Sequence, residues 1–211
     1  MKKEIFLFRH GLTLAGEKKL YCGKSDLPLS PRGEAELLEK KLTFFYPDIS
    51  HCSLFTSGLV RTKQTQKLLY PGLTASVTEE KGFQEIDFGD FEMKSYEELK
   101  ENPDYQGWLR GEVDRIPHRS TESFDNPCPN GESWDKMNER VLVSLEKILK
   151  NDHSVAIFTH GGPISALMAH FFPEEEKSLY EWQPEFGEGY KITIEGESAF
   201  CIKIPQKEVR G

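Results

Sequence analysis

Cysteine is scarce in this sequence. Cys22, Cys52, Cys128 and Cys201 are the only four in 211 residues, and no C-x-x-C spacing links any of them. That pattern supports neither a disulfide framework nor a zinc ribbon, and it points to a reduced, cytoplasmic chain. Long apolar runs are also missing. No stretch approaches the roughly 18 residues that cross a bilayer, and residues 5–8 are too short for the apolar centre of a secretory signal. Positive charge is in deficit, with 27 Lys and Arg against 35 Asp and Glu for a net charge of −8. Proteins that work on nucleic acid or membrane surfaces are ordinarily basic, so neither partner is expected. There is no repeat, and no low-complexity tract longer than Glu174-Glu175-Glu176. A hydrophobic fraction of 37% with 11% aromatics excludes a wholly disordered chain.

Six short segments rich in β-branched and aromatic residues predict strands: 4–8, 53–56, 74–78, 154–159, 190–194 and 199–204. The first and fourth are nearly continuous apolar runs, as in strands covered on both faces of a parallel sheet. Helices alternate with them. Ser30 is placed to cap one, with Pro31 in its first position and Leu38, Leu42 and Phe45 at helical spacing. Residues 59–69 predict a second, and 132–149 the longest, with Met137, Val141, Leu145 and Ile148 on one stripe. A fourth starts at Pro163 and ends before Pro173. This alternation predicts an α/β fold, a three-layer α/β/α sandwich around a mostly parallel sheet with an edge hairpin. The length fits one domain over 1–211. Residues 85–131 break the alternation and read as an irregular insertion, either a lid over the site or mobile chain.

In open α/β sheets, ligands bind beyond the carboxyl ends of the strands. Three of these ends carry chemistry: Arg9-His10-Gly11, Thr56-Ser57 with Arg61 a helical turn later, and Thr159-His160-Gly161-Gly162. A glycine there lets the backbone approach a ligand and present its N–H. One strand-end histidine is ordinarily a hydrogen-bonded core residue, but two histidines arriving with two arginines make a site for a dianion. Guanidinium forks match phosphate oxygens, and positive neighbours favour the uncharged imidazole, whose lone pair can attack. Other phosphate chemistries lack their parts. No cysteine begins a C-x5-R motif, Gly23-Lys24-Ser25 lacks the first P-loop glycine, and no G-x-G-x-x-G follows the first strand. Asp87-Phe88-Gly89 has no kinase loops around it, and metal-binding patterns such as H-x-x-x-H are missing.

Several blocks then line up in order: Arg9-His10-Gly11 with Thr13, Tyr21-Cys22-Gly23 through Asp26, Pro28, Leu29 and Ser30, and Ser57 with Arg61-Thr62 and Gln64-Thr65. Glu85-Ile86 with Phe88-Gly89 and Phe91-Glu92 follows, then Pro129 with Gly131-Glu132-Ser133, and finally Thr159-His160-Gly161. Together they resemble the histidine phosphatase (phosphoglycerate mutase-like) superfamily. The resemblance implies that His10 is a nucleophile forming a phosphohistidine, with Arg9, Arg61 and His160 clamping the phosphoryl oxygens. Thr13, Gly23 and Ser57 are implied to bind substrate, and the Gly161 N–H to add a donor. Glu85 is implied to protonate the leaving oxygen and then activate water; the residues themselves leave Asp87 as a rival acid. No metal and no organic cofactor are implied. Leu12, Gly16 and Met93 depart from the pattern, standing where many members carry Glu or Gln, Asn, and Gly. His118 reads as a solvated loop residue with substrate contact as the alternative; His51, His153 and His170 read as structural or surface residues.

Within the family, residues 20–30 are most similar to α-ribazole-phosphate phosphatases and their broad-specificity bacterial relatives. The implied reaction is hydrolysis of a small phosphorylated metabolite, with α-ribazole 5'-phosphate one candidate. A cofactor-dependent phosphoglycerate mutase is the alternative on the same fold, although residues 93–130 lack the mutases' basic pattern. The alternative of another class is a non-catalytic phospholigand-binding or protein-binding module, against which the presence of His10 and Glu85 speaks. The oligomeric state is not indicated.

Overall fold

The computed structural model describes residues 2–113, 127–150 and 153–207. In chain order, β1 (Lys2–Arg9) leads to α1 (Leu14–Glu17), α2 (Pro31–Thr43) and β2 (Phe44–Phe45), then β3 (Ser53–Thr56), α3 (Val60–Leu69) and β4 (Val77–Glu79). Helices α4 (Tyr96–Leu99), α5 (Pro103–Val113) and α6 (Trp134–Leu149) precede β5 (Val155–Thr159) and α7 (Gly161–Phe171). The chain continues through α8 (Leu179–Trp182), β6 (Gly189–Glu195), β7 (Ser198–Ile204) and β8 (Gln206–Lys207). The main sheet has the order β4-β3-β5-β1-β6-β7. Its first four strands are parallel, while β6 and β7 form the expected antiparallel edge hairpin.

Alternation along the central strands divides the core into two layers. Ile5, Leu7, Val155 and Ile157 face α6 and α7, meeting Met137, Val141 and Leu145 from the first helix and Ile164, Leu167 and Met168 from the second. Burial of each such side chain is worth about 1.5–3 kcal/mol, so the α6 stripe is what anchors this long helix. Phe6, Phe8, Ala156 and Phe158 face the other way and pack with Leu54, Ile49 and Cys52. The Phe8 and Phe158 rings stack with centroids 4.7 Å apart. Tyr46 and Tyr70 join this layer to Leu37 of α2 and Leu69 of α3. Strands β1 and β5 are thus covered on both sides, and their carboxyl ends open on one edge of the sheet.

The structure corrects three expectations. The strand expected over 74–78 is β4, which begins at Val77, because only 77–79 pair with β3. Helix α7 begins at Gly161, two residues before Pro163, with His160 as its N-cap. Proline is tolerated in a first turn, where its missing N–H would have had no helical acceptor. The 85–131 segment is not irregular throughout, since it contains α4, with a Ser95–Glu98 capping box, and α5. The apolar partners of these helices form a satellite cluster of Phe91, Leu99, Tyr105, Trp108 and Cys128, with Tyr21 and Phe88 against it. Tyr21 comes from far upstream, so no local periodicity announces this cluster. His118 lies outside the described residues. His51, His153 and His170 are exposed, and no helix among the described residues is long and apolar enough to cross a membrane.

Two backbone positions bear on the site. Met93, where the family pattern has Gly, has φ of 61°, in the left-handed region that a β-carbon disfavours. Gly33 in α2 lies against the loop that leaves His10, and a β-carbon there would stand 2.0 Å from the Leu12 carbonyl oxygen. Helix propensity alone would make Gly33→Ala stabilising by about 1 kcal/mol. The collision with backbone reverses the sign, and a loss of about 1–3 kcal/mol is expected. Denaturant unfolding measures it, and an unchanged or raised midpoint would refute the close packing of α2 on this loop.

Candidate active site

Strand β1 ends at Arg9, and the next residue, His10, is 7% exposed at the wall of a cavity of about 230 Å³. His10 Nδ1 lies 2.7 Å from the Gly11 carbonyl oxygen. A carbonyl only accepts, so this bond puts the ring proton on Nδ1 and leaves the lone pair on Nε2. His160, at the end of β5, has the opposite tautomer. Its Nδ1 accepts from Arg61 Nε at 3.3 Å, so Nε2 carries the proton, 2.8 Å from Ser57 Oγ. The two rings meet edge to face with centroids 5.0 Å apart. Burial holds both imidazoles well below their ordinary pKa, and the positive charge of Arg61 adds to it.

The two arginines are held in an unusual way, Arg61 fully buried and Arg9 partly so. Among the described residues neither Arg9 nor Arg61 forms an ion pair with a carboxylate. Arg61, fully buried on α3, donates instead to the carbonyls of Gly23 at 2.6 Å and Ser25 at 2.7 Å. Arg9 donates to the Pro184 carbonyl at 2.7 Å and lies 4.2 Å from the centre of the Phe186 ring. Its Nε is buried without a partner. Desolvation lowers the pKa of both guanidinium groups, which stay charged because arginine titrates so high. The result is an edge where two guanidinium groups, with Glu85 nearby but not ion-paired to either among the described residues, can receive a phosphoryl group.

The rival acids occupy different places. Glu85 lines the cavity, where its Oε2 accepts the Gly162 N–H at 3.2 Å. Gly162 is in the first turn of α7, whose N–H groups have no helical acceptor. Asp87 turns instead to Lys24 at 2.8 Å and to the Gly89 N–H at 2.8 Å. Glu92 holds the strap that Arg61 grips from its carbonyl side. Its Oε1 accepts the N–H groups of Gly23 and Lys24, both at 2.9 Å, and its Oε2 accepts Ser25 Oγ at 2.7 Å.

Of the expected site residues, Arg9, His10, Thr13 and Glu85 line the cavity. Thr13 Oγ1 also caps α1, accepting the Gly16 N–H. Arg61, His160 and Ser57 stand behind His10 as a linked set, and Gly23 serves Arg61 and Glu92 through its backbone. At Gly161, a β-carbon would come within 3.1 Å of the Gln183 amide and 3.4 Å of the Arg9 guanidinium carbon. Sequence reasoning missed Tyr180, Gln183 and Phe186 on the cavity wall. Tyr180 lies in the short helix α8 and Gln183 and Phe186 just after it, in a segment with no periodicity, so nothing in the single sequence marks them.

Residues 5–204 match the family model described as the histidine phosphatase superfamily (branch 1). The chain is 29% identical over 146 residues to the Cronobacter sakazakii (strain ATCC BAA-894) protein named "Probable phosphoglycerate mutase GpmB". That match covers 69% of this chain and 63%, less than two thirds, of the relative. The alpha-ribazole phosphatase from Shigella flexneri shares the fold at a TM-score of 0.74 and 24% identity, over 96% of this chain and 95% of that one. The phosphoglycerate mutase from Bacillus anthracis str. Sterne shares it at 0.71 and 17%, over 97% and 93%.

Two outcomes follow from the geometry. A β-carbon at Gly162 would lie 2.2 Å from Glu85 Oε1, so Gly162→Ala must displace the carboxylate, a flexible side-chain end, while the fold persists. If Glu85 is the acid, turnover falls by about 10²-fold with little change in melting temperature; steady-state kinetics showing full activity would contradict the placement. The second concerns pH. An unfolded imidazole titrates near 6.5, whereas folded His10 and His160 resist protonation. Stability is therefore fully present above about pH 6.5 and is lost as pH falls toward the depressed folded values, by up to about 1.4 kcal/mol per pH unit for each ring. Urea midpoints between pH 7.5 and 5.5 report this, and His10→Asn should flatten the slope. A profile unchanged by that substitution would mean that His10 is not held uncharged.

Proposed function

Since the chain belongs to the histidine phosphatase superfamily (branch 1), whose members act on phosphate groups, we propose that it is a phosphatase of small phosphomonoesters working through a phosphohistidine. One observation carries this reading: an imidazole with its Nε2 lone pair available stands near two guanidinium groups, one fully and one partly buried, that form no ion pair with a carboxylate among the described residues. Positioning and charge stabilisation are what in-line phosphoryl transfer needs most.

In the first step His10 Nε2 attacks phosphorus and the ester P–O bond breaks. Glu85 gives its proton to the departing oxygen, so the product leaves as a neutral alcohol. Arg9 and Arg61 balance the charge on the non-bridging oxygens. The Arg61 donors now bound to Gly23 and Ser25 fix the guanidinium plane, and His160, locked by Arg61 and Ser57, packs against the nucleophilic ring. In the second step water attacks the phosphohistidine, Glu85 takes the water's proton, and phosphate departs from a neutral His10.

The leaving-group side is aromatic. Tyr21, Phe88, Trp108, Trp134 and Tyr180 line the cavity, and among the described residues lining it Arg9 is the one cation. This supports esters with a flat, apolar alcohol, for which an α-ribazole-like nucleoside is a candidate, over phosphoglycerates, whose carboxylate asks for a further cation. The curated relatives at 28–29% identity, named as probable mutases, support the competing reaction.

A panel of phosphomonoesters that includes α-ribazole 5'-phosphate and 3-phosphoglycerate separates the readings. Phosphate release fastest from aromatic esters, with a phosphoenzyme that survives alkali, is hydrolysed by acid and is lost in His10→Ala, is the expected result. Isomerisation of 3-phosphoglycerate outpacing its hydrolysis would establish the mutase instead, and appreciable turnover by His10→Ala would reject the nucleophile.

A further inference from the structure

Arg140, on the second turn of α6, does not line the cavity, yet all five of its N–H donors are engaged. Nε and Nη2 form a bidentate fork on Glu132, each at 2.7 Å. Nη1 donates to the carbonyls of Gly82 at 2.9 Å and Gln84 at 2.7 Å, and Nη2 donates to the carbonyl of Glu85 itself at 3.0 Å. Glu132 closes the grip from the other side. Its Oε2 accepts the Asp87 N–H at 3.4 Å, and its own N–H donates to the Asp87 carbonyl at 2.8 Å. Residues 82–87 are therefore bound to α6 and its N-terminal approach on both sides of Glu85.

We propose that Arg140 and Glu132 are positioning residues that fix the backbone carrying the general acid, so that the Glu85 carboxyl meets the leaving oxygen rather than solvent. The proposal rests on the reading of Glu85 as that acid. Two independent anchors then define the carboxyl. The first turn of α7 holds its oxygen through the Gly162 N–H, and α6 holds its main chain through Arg140. The ion pair is only partly exposed, with side-chain accessibilities of 27% for Arg140 and 17% for Glu132, so solvent competes weakly for its donors. Lysine does not replace such a guanidinium. A tetrahedral ammonium has three donors and no planar fork, so Arg140→Lys keeps the charge but leaves at least two of the five acceptors without this donor. Misplacement of a catalytic group by about 1 Å is enough to slow a reaction by roughly 10²-fold.

A clamp acting through the acid leaves a signature that general loosening of the fold does not. Esters of strongly acidic phenols, such as 2,4-dinitrophenyl phosphate, expel their leaving group without a proton; alkyl phosphates require one. Single-turnover release of the alcohol across such a series isolates the first chemical step. Arg140→Lys is expected to act within about threefold of wild type on the dinitrophenyl ester and to lose about 30-fold or more on the alkyl esters, in parallel with Glu85→Gln. Combined with Glu85→Gln, it should add little further loss. Should Arg140→Lys fold poorly, Glu132→Gln, which retains the volume and one acceptor oxygen, is read against the same series. An equal loss on every ester, a loss that multiplies with that of Glu85→Gln, or no loss at all would overturn the clamp. If Glu85→Gln itself has no dependence on the leaving group, the failure lies in the acid assignment, which that variant alone reveals.

Discussion

Two guanidinium groups at one sheet edge, neither ion-paired to a carboxylate among the described residues, set the terms for everything around them. Arg61 has no solvent exposure and Arg9 has a buried, unpartnered Nε. An isolated buried charge is strongly unfavourable, and a nearby Asp or Glu would relieve it. Here the relief comes from dipoles instead: the carbonyls of Gly23, Ser25 and Pro184, and the face of Phe186. Dipoles leave the net positive charge in place, and a doubly charged phosphoryl group is the natural complement. Burial keeps both imidazoles uncharged, and the positive field of Arg61 adds to it.

Around this charged centre, three carboxylates act in distinct ways. Glu92 gathers the N–H groups of residues 23 and 24, so the strap presents its carbonyls to Arg61 from the opposite side. Glu132 engages Arg140 and through it the chain from 82 to 87. Glu85 alone among the three lines the cavity. The acids that hold backbone are thereby separated from the one that faces the cavity, and Asp87, next door in sequence, is bound to Lys24. Spacing along the chain could not separate Glu85 from Asp87; the partner of each carboxylate does.

Much of the architecture was legible because its signals are local. Ile5 to Phe8 and Val155 to Thr159 are runs long enough to declare buried strands, and the α6 stripe from Met137 to Ile148 repeats at helical period. Ser30 marks a helix start through capping chemistry that needs only a neighbour three residues away. Where the signal depends on distant chain, reading failed. Helices α4 and α5 pack through aromatic contacts to Tyr21, and Pro163 lies inside a helix whose first turn is set by β5 and the His160 cap.

The order of residues along the chain was sufficient to specify an α/β sheet and to bring His10, Arg61 and His160 toward one edge, since parallel strands necessarily end on the same side. It was not sufficient to say which atom of each ring carries a proton, which of two acids faces the cavity, that Tyr180, Gln183 and Phe186 line it, or that Arg140 binds the backbone of Glu85. Those choices depend on hydrogen bonds between segments separated by tens of residues, such as Arg61 to His160 and Gly162 to Glu85. Bond directionality and the exclusion of water exist only once the layers have closed, and so tertiary structure alone decides them.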